Sequence, residues 1–147
     1  MTKALTLSIV AIVDDDDLVG RSLKRVISLS GYRVEVFASA DDFLCSDYLI
    51  ECNCLILDVQ MPGINGLELQ RQLLTRKFRF PIIFITSHWD EASKAQALKA
   101  GAVDYLRKPF REEQLLDAIR KAFDGEVRRQ TKMPKELDRA DKLAVAD

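Results

Sequence analysis

One histidine, one tryptophan and three cysteines in 147 residues remove several chemistries at the outset. A lone His88 cannot supply a histidine-based metal site. Cys45, Cys52 and Cys54 are odd in number, and no second cysteine pair or histidine cluster completes a zinc site around Cys52-Asn53-Cys54. All three read as small buried hydrophobes. Net charge is scarce as well. Twenty-two Lys and Arg against 23 Asp and Glu leave −1, so no basic field points to nucleic acid. No apolar run is long enough to span a bilayer. The stretch MTKALTLSIVAIV has a lysine ahead of apolar residues, as signal peptides do. It ends in four aspartates in place of a small-residue cleavage site, so it reads as a first strand and a cytoplasmic location is expected. With 48% apolar and 31% charged residues, the composition suits one soluble globular domain.

What the chain does have is alternation. Residues 8–13 (SIVAIV), 53–57 (NCLIL) and 81–85 (PIIFI) are short, continuous and rich in branched side chains, the pattern of strands buried on both faces. Weaker strands are expected over 33–37 and 103–106. Helical stretches separate them. Val19, Leu23, Val26 and Ile27 form one stripe, with Gly31 placed to close that helix in the left-handed conformation. Ser39-Ala40-Asp41-Asp42 has capping-box spacing before Phe43 and Leu44, and Asn65 is placed to cap a helix carrying Leu67, Leu69, Leu73 and Leu74. Residues 90–100 form an Ala-rich helix stopped by Gly101. Residues 112–123 put Leu115, Leu116, Ile119, Ala122 and Phe123 on one face. Five β-α repeats predict an α/β fold, a doubly wound five-stranded parallel sheet covered on both faces. Ligands of such folds sit beyond the carboxyl ends of the strands.

Those ends carry the unusual residues. Strand one runs into Asp14 and Asp15, strand three ends in Asp58, strand four ends in Thr86 and Ser87, and strand five is followed by Lys108-Pro109. Clustered carboxylates cannot all stay ionised without a cation among them, and oxygen-only ligands favour Mg²⁺ over zinc or copper. A carboxylate beside such a metal can attack a phosphoryl group, with lysine and threonine placed to contact the phosphoryl oxygens. Asp16 and Asp17 are less demanding, because negative charge is favoured at the start of the next helix.

Taken together, Asp14-Asp15, Asp58 with Met61-Pro62-Gly63 and Gly66, Thr86, and Lys108-Pro109-Phe110 resemble a two-component response-regulator receiver domain. The resemblance covers roughly residues 8–123. It implies a flavodoxin-like fold with strand order 2-1-3-4-5 and a set of roles. Asp58 would accept the phosphoryl group of a sensor histidine kinase. Asp15 would hold Mg²⁺ (Mn²⁺ substituting) directly and Asp14 largely through water, with Asp58 and the main-chain carbonyl of Gln60 as further ligands. Thr86 and Lys108 would contact the phosphoryl oxygens, and the Lys108-Pro109 bond would be cis. Tyr105 matches a switch aromatic whose ring turns inward when Thr86 moves. Gln60 and His88 flank the site as possible modulators of dephosphorylation, though His88 reads equally well as a solvated loop residue. Trp89 is expected in the same loop, partly exposed. With one histidine, no phosphotransfer chain can be built within the molecule.

IVDDDDLVGRSL, SADDFL, MPGINGLEL and ALKAGAVDYLRKPF resemble the FixJ-type subgroup, although Leu18 stands where many relatives carry proline. That likeness implies a phosphorylation-dependent homodimer through the fourth helix, fifth strand and fifth helix. It also implies a DNA-binding output domain, absent from this chain, and no membrane partner. Residues 1–123 are then the receiver and 124–147 a linker, in which six acids and six bases cancel and Arg128, Arg129 and Lys132 form no sustained basic patch. Two other readings compete. Asp15-x-Asp17 and Thr86 superficially fit a haloacid-dehalogenase-like phosphatase, which leaves Asp58-Met61-Pro62 unexplained. A receiver reduced to an interaction module would normally have lost one of the key residues, and none is missing.

Overall fold

Apolar runs without polar alternation are stable as strands only when both faces are covered. In the computed structural model, which describes residues 8–125, they form β1 (Ile9–Val13), β3 (Cys54–Asp58) and β4 (Ile82–Thr86), with every residue buried. β2 (Arg33–Phe37) and β5 (Asp104–Arg107) flank them and are partly exposed. All pairings are parallel in the order β2-β1-β3-β4-β5, the predicted doubly wound sheet. Except at β2, the strands start one residue later than the apolar runs suggest. Asn53 shows why at β3: its N–H donates to the Ile9 carbonyl at 2.9 Å and its Oδ1 accepts from the Ile9 N–H at 2.8 Å, closing the sheet end from outside the ladder.

The helices are α1 (Asp17–Leu29), α2 (Ala40–Leu44), α3 (Tyr48–Glu51), α4 (Gly66–Thr75), α5 (Glu91–Lys99) and α6, from residue 112 through 125. The expected caps are in place. Ser39 Oγ accepts from the Asp42 N–H, Asn65 Oδ1 accepts from the Glu68 N–H, and Gly31 follows α1 with φ +100°. The second crossover is two short helices where the sequence suggests one. Ser46 donates its hydroxyl and its N–H to the Phe43 carbonyl, which diverts the backbone from helix after one turn. Cys45 follows α2 and is exposed, in contrast to the expectation, whereas Cys52 and Cys54 are buried.

Strand alternation sorts the core into two layers. Ala11, Val13, Leu55, Leu57, Phe84 and Tyr105 face α2 to α5, packing with Phe43, Leu49, Leu69 and Leu73. Val10, Ile12, Ile56, Ile83 and Ile85 face α1 and α6, packing with Leu23, Ile27, Leu115 and Ile119. Each large side chain so buried contributes about 1.5–3 kcal/mol. α5 is the exception, with Ala97 as its one buried residue.

Gly66 joins this core to the sheet edge. Its N–H donates to the Val59 carbonyl at 2.8 Å, and a Cβ there would stand 2.4 Å from the Asp58 carbonyl oxygen. A Cβ at Gly20 would meet only a half-buried side chain, Val36 Cγ1, at 2.8 Å. Gly66→Ala therefore has to move backbone and is expected to cost about 2–3 kcal/mol, against about 1 kcal/mol for Gly20→Ala. Urea denaturation of both variants checks the order.

Candidate functional site at the carboxyl edge of the sheet

Because the strands are parallel, the residues that follow β1, β3, β4 and β5 gather at one edge. Asp14, immediately after β1, is 1% exposed. Its Oδ1 accepts from the Asp16 N–H at 2.8 Å and its Oδ2 accepts from Lys108 Nζ at 2.9 Å, so both oxygens are engaged by the chain itself. Asp58, the last residue of β3, accepts from the Gln60 N–H at 3.2 Å, and its Oδ2 lies 3.5 Å from the same Lys108 ammonium. Asp15 is exposed. Carboxylate oxygens of Asp14, Asp15 and Asp58 lie within 4.8 Å of one another. Three carboxylates with no sulfur or imidazole among them form a donor set suited to a hard divalent cation.

The electrostatics follow from burial. Loss of solvent first, and the neighbouring Asp14 carboxylate second, push the Asp58 carboxyl up to about 6, against the opposing pull of Lys108 and the Gln60 N–H. Burial works against the Lys108 ammonium. The Asp14 hydrogen bond and the charges of Asp58 and Asp14 outweigh it and hold that group above its ordinary value. A cleft of about 250 Å³ opens over the cluster, lined by Asp15, Asp16, Asp58, Gln60, Ser87, His88 and Lys108. The Lys108-Pro109 bond beside it is cis.

Asp14 and Thr86 are buried and do not line that cleft. The Thr86 hydroxyl donates to the His88 carbonyl and accepts from the His88 N–H, both at 3.0 Å, so it is closed on its own loop. Tyr105 lies on the α5 face of the sheet, 3% exposed. Its ring is thus inward while Thr86 still faces His88, whereas the resemblance ties the inward ring to a moved threonine. Ring contacts to Phe84 (centroids 6.0 Å apart) and Trp89 (5.5 Å, nearly perpendicular) hold it there. Such pairs contribute about 0.5–1.5 kcal/mol each. The Tyr105 hydroxyl faces Ser93 but closes no hydrogen bond of ordinary geometry, at a cost of about 1–3 kcal/mol. Burial first, then the Asp90 carboxylate, keeps its phenol above the usual value.

Asp16 and Trp89 stand where the sequence reading puts them, at the helix start and in the loop, and each makes a contact that reading does not give. Asp16 is the N-cap of α1, accepting from the Leu18 and Val19 N–H groups, and it also forms part of the cleft wall. Trp89 is half-buried against Tyr105, a contact between a loop and a strand that no local pattern signals. Asp17 turns to Arg21 at 3.3 Å, in place of joining the acidic cluster, so the Asp15-x-Asp17 pair of the phosphatase reading does not assemble.

A raised carboxyl has a direct consequence for folding. Between pH 3.8 and about 6 the native protein holds a proton that the unfolded chain releases, so the Asp58 contribution to stability falls as pH rises through that window and stays low above it. Asp58→Asn is expected to stabilise the protein in chelator-treated buffer by about 1–2 kcal/mol near neutral pH, with a smaller difference near pH 5. Urea denaturation of parent and variant at the two pH values measures it.

Comparison with known proteins gives the family. The family model described as "Response regulator receiver domain" matches residues 10–120. Response regulator protein TodT of Pseudomonas putida is 48% identical over 116 residues, covering 79% of this chain and 51% of its own length. Transcriptional regulatory protein FixJ of Rhizobium meliloti (strain 1021) is 38% identical over 115 residues, 78% of this chain and 56% of its own. The solved structure of response regulator StyR superposes with a TM-score of 0.77 at 39% identity, over 90% of this chain and 68% of that one. The chain spans about half the length of the curated relatives it matches. It belongs to the response-regulator receiver domain family, among relatives that are transcriptional regulators of the FixJ type.

Proposed function

We propose that this receiver domain is a phosphorylation-dependent switch in which Asp58 takes a phosphoryl group from the phosphohistidine of a sensor kinase. The observation that carries this reading is the arrangement of three carboxylates within 4.8 Å with one ammonium 2.9 Å and 3.5 Å from two of them. An Asp58 carboxylate oxygen forms a bond to phosphorus as the phosphorus–nitrogen bond breaks. The imidazole leaves with the bonding electron pair, and the product is an aspartyl phosphate. Asp14, Asp15, Asp58 and the Gln60 main-chain carbonyl would hold Mg²⁺, with Mn²⁺ as a substitute. When bound, the ion offsets charge on the phosphoryl oxygens.

The protein's own groups do the positioning. Lys108 transfers its ammonium from the carboxylates to a phosphoryl oxygen, and the Thr86 hydroxyl leaves His88 to donate to another. Gln60 and His88 line the cleft through which water reaches the phosphoryl group, so they set its lifetime. Transfer and loss of the group are carried out by the domain on itself, in a signalling role. The face formed by α5, β5 and α6 then changes. In this reading it governs homodimerisation and an attached DNA-binding domain, with residues 124–147 as the connector. Of that connector only residues 124 and 125 are described, so Arg128, Arg129, Lys132 and Pro134 lie outside the described residues. Among the described residues no helix is long and apolar enough to cross a membrane, and the cytoplasm is the proposed location.

Acetyl phosphate with Mg²⁺ is expected to add one phosphoryl group, read by intact mass. Asp58→Asn and chelator should each abolish the addition. A parent that stays folded and gains no mass would reject the switch in favour of a pure interaction module.

A further inference from the structure

We propose that Trp89 is a positioning residue that holds Tyr105 inward in the resting protein, independently of the state of Thr86. The proposal rests on the reading of Thr86 and Tyr105 as the switch pair and adds a third residue that the resemblance does not supply. Phe84 and Tyr105 are register partners on β4 and β5, and Thr86 lies two residues beyond Phe84 on the same face. Thr86 and Tyr105 are therefore diagonal neighbours across the ladder, close enough for one to answer the other. In this chain the answer comes without the question. Tyr105 is already buried while the Thr86 hydroxyl is closed on His88.

Trp89, the residue after His88, supplies the missing constraint. Its ring meets Tyr105 edge-on, with centroids 5.5 Å apart and planes at 79°. It is not a loose loop side chain. Lys94 Nζ stands 4.9 Å from the centroid of its ring, and its indole N–H donates to Glu91. Both partners belong to the first turns of α5, so the indole is pinned from the side of α5. The inward Tyr105 gains from such support, because its hydroxyl is buried and faces Ser93 without closing a hydrogen bond of ordinary geometry. Burial of a polar end without a full partner costs free energy and each aromatic pair offsets some of it, so loss of an aromatic neighbour shifts such a ring toward solvent.

The consequence is a division of labour. With Tyr105 held by Trp89, movement of Thr86 is free to act on the β4–α5 loop and on α5, a helix attached to the core through Ala97 and through the bond from Gln70 Nε2 to the Ala97 carbonyl. Without Trp89, Tyr105 would populate an outward rotamer at rest and be drawn in only when Thr86 moves.

The test uses the full chain labelled with 3-fluorotyrosine. Its three tyrosines give three ¹⁹F resonances, and Tyr105→Phe assigns the one of interest. Broadening by a soluble paramagnetic chelate reads the exposure of that ring. In the parent the Tyr105 line should be protected both at rest and after acetyl phosphate with Mg²⁺. In Trp89→Ala the resting exposure should rise roughly 2- to 10-fold, the factor an aromatic pair is worth, and fall again on phosphorylation. Trp89→Phe should restore protection. Lys94→Ala, which leaves the core untouched, should give a smaller rise of the same sign. A resting Tyr105 line in Trp89→Ala and Lys94→Ala as protected as in the parent would overturn the proposal, whatever the mass measurement shows. A ring that opens in Trp89→Ala but stays open when intact mass records the added phosphoryl group would overturn the coupling to Thr86.

Discussion

The ammonium of Lys108 sits between two buried carboxylates that the sequence places far apart, and the carboxyl edge of the sheet is organised around that balance. Asp14 and Lys108 are 94 residues apart yet 2.9 Å from each other. Three acids within 4.8 Å, two of them buried, repel one another, and one lysine offsets only part of the charge. The residual negative charge suits the cluster to a cation, and burial together with the Asp14 carboxylate leaves Asp58 with a raised pKa. The same balance constrains the topology. The loop after β5 has to reach back across β4 to the ends of β3 and β1, which a parallel sheet in the order β2-β1-β3-β4-β5 allows.

Rigid and soft parts of the molecule divide along that sheet. β1 and β3 are buried throughout, and Gly66 packs its backbone directly on the end of β3. Asp14 and Asp58 are thus mounted on fully buried strands. On the other side, α5 contributes a single buried residue and is secured near its start by side chains around Trp89 and near its end by Gln70. Few buried contacts mean a low free energy of local opening, which suits an element that moves in the proposed switch. Both halves meet at Thr86, the last residue of β4, whose hydroxyl belongs to the loop and whose backbone belongs to the sheet.

Much of this was legible in the sequence because the signals are local. A strand buried on both faces shows as an uninterrupted apolar run, and Ser39, Asn65 and Gly31 are recognisable as caps without knowledge of their neighbours. Asp14, Asp15, Asp58 and Lys108 could be placed at one edge because each follows a strand and the strands are parallel. What stayed hidden depends on contacts across the fold. The break between α2 and α3 turns on where the Ser46 hydroxyl donates, and Cys45, two residues beyond the buried Phe43, is exposed on the opposite side of that turn. Asp16 reads as an acid at a helix start, where it is the N-cap of α1, but its place in the cleft wall comes only from the fold of the surrounding loops. Trp89 is the sharpest case. Three residues beyond a strand end it has the pattern of a loop residue, and its partner Tyr105 is on another strand.

The position of Tyr105 also bears on how much energy the proposed switch has to move. With the ring already inward, engagement of Thr86 breaks its two bonds to His88, each with a net contribution of about 0.5–1.5 kcal/mol. A hydroxyl bond to a phosphoryl oxygen is charge-assisted and contributes about 1.5–3 kcal/mol. The gain and the loss are of the same size, so the two loop conformations differ by a small free energy and neither is inaccessible. A difference of that order shifts populations by about tenfold per 1.4 kcal/mol and does not lock a single state. Small changes in the loop that carries His88 and Trp89 are therefore as capable of setting the resting balance as changes at Asp58 itself.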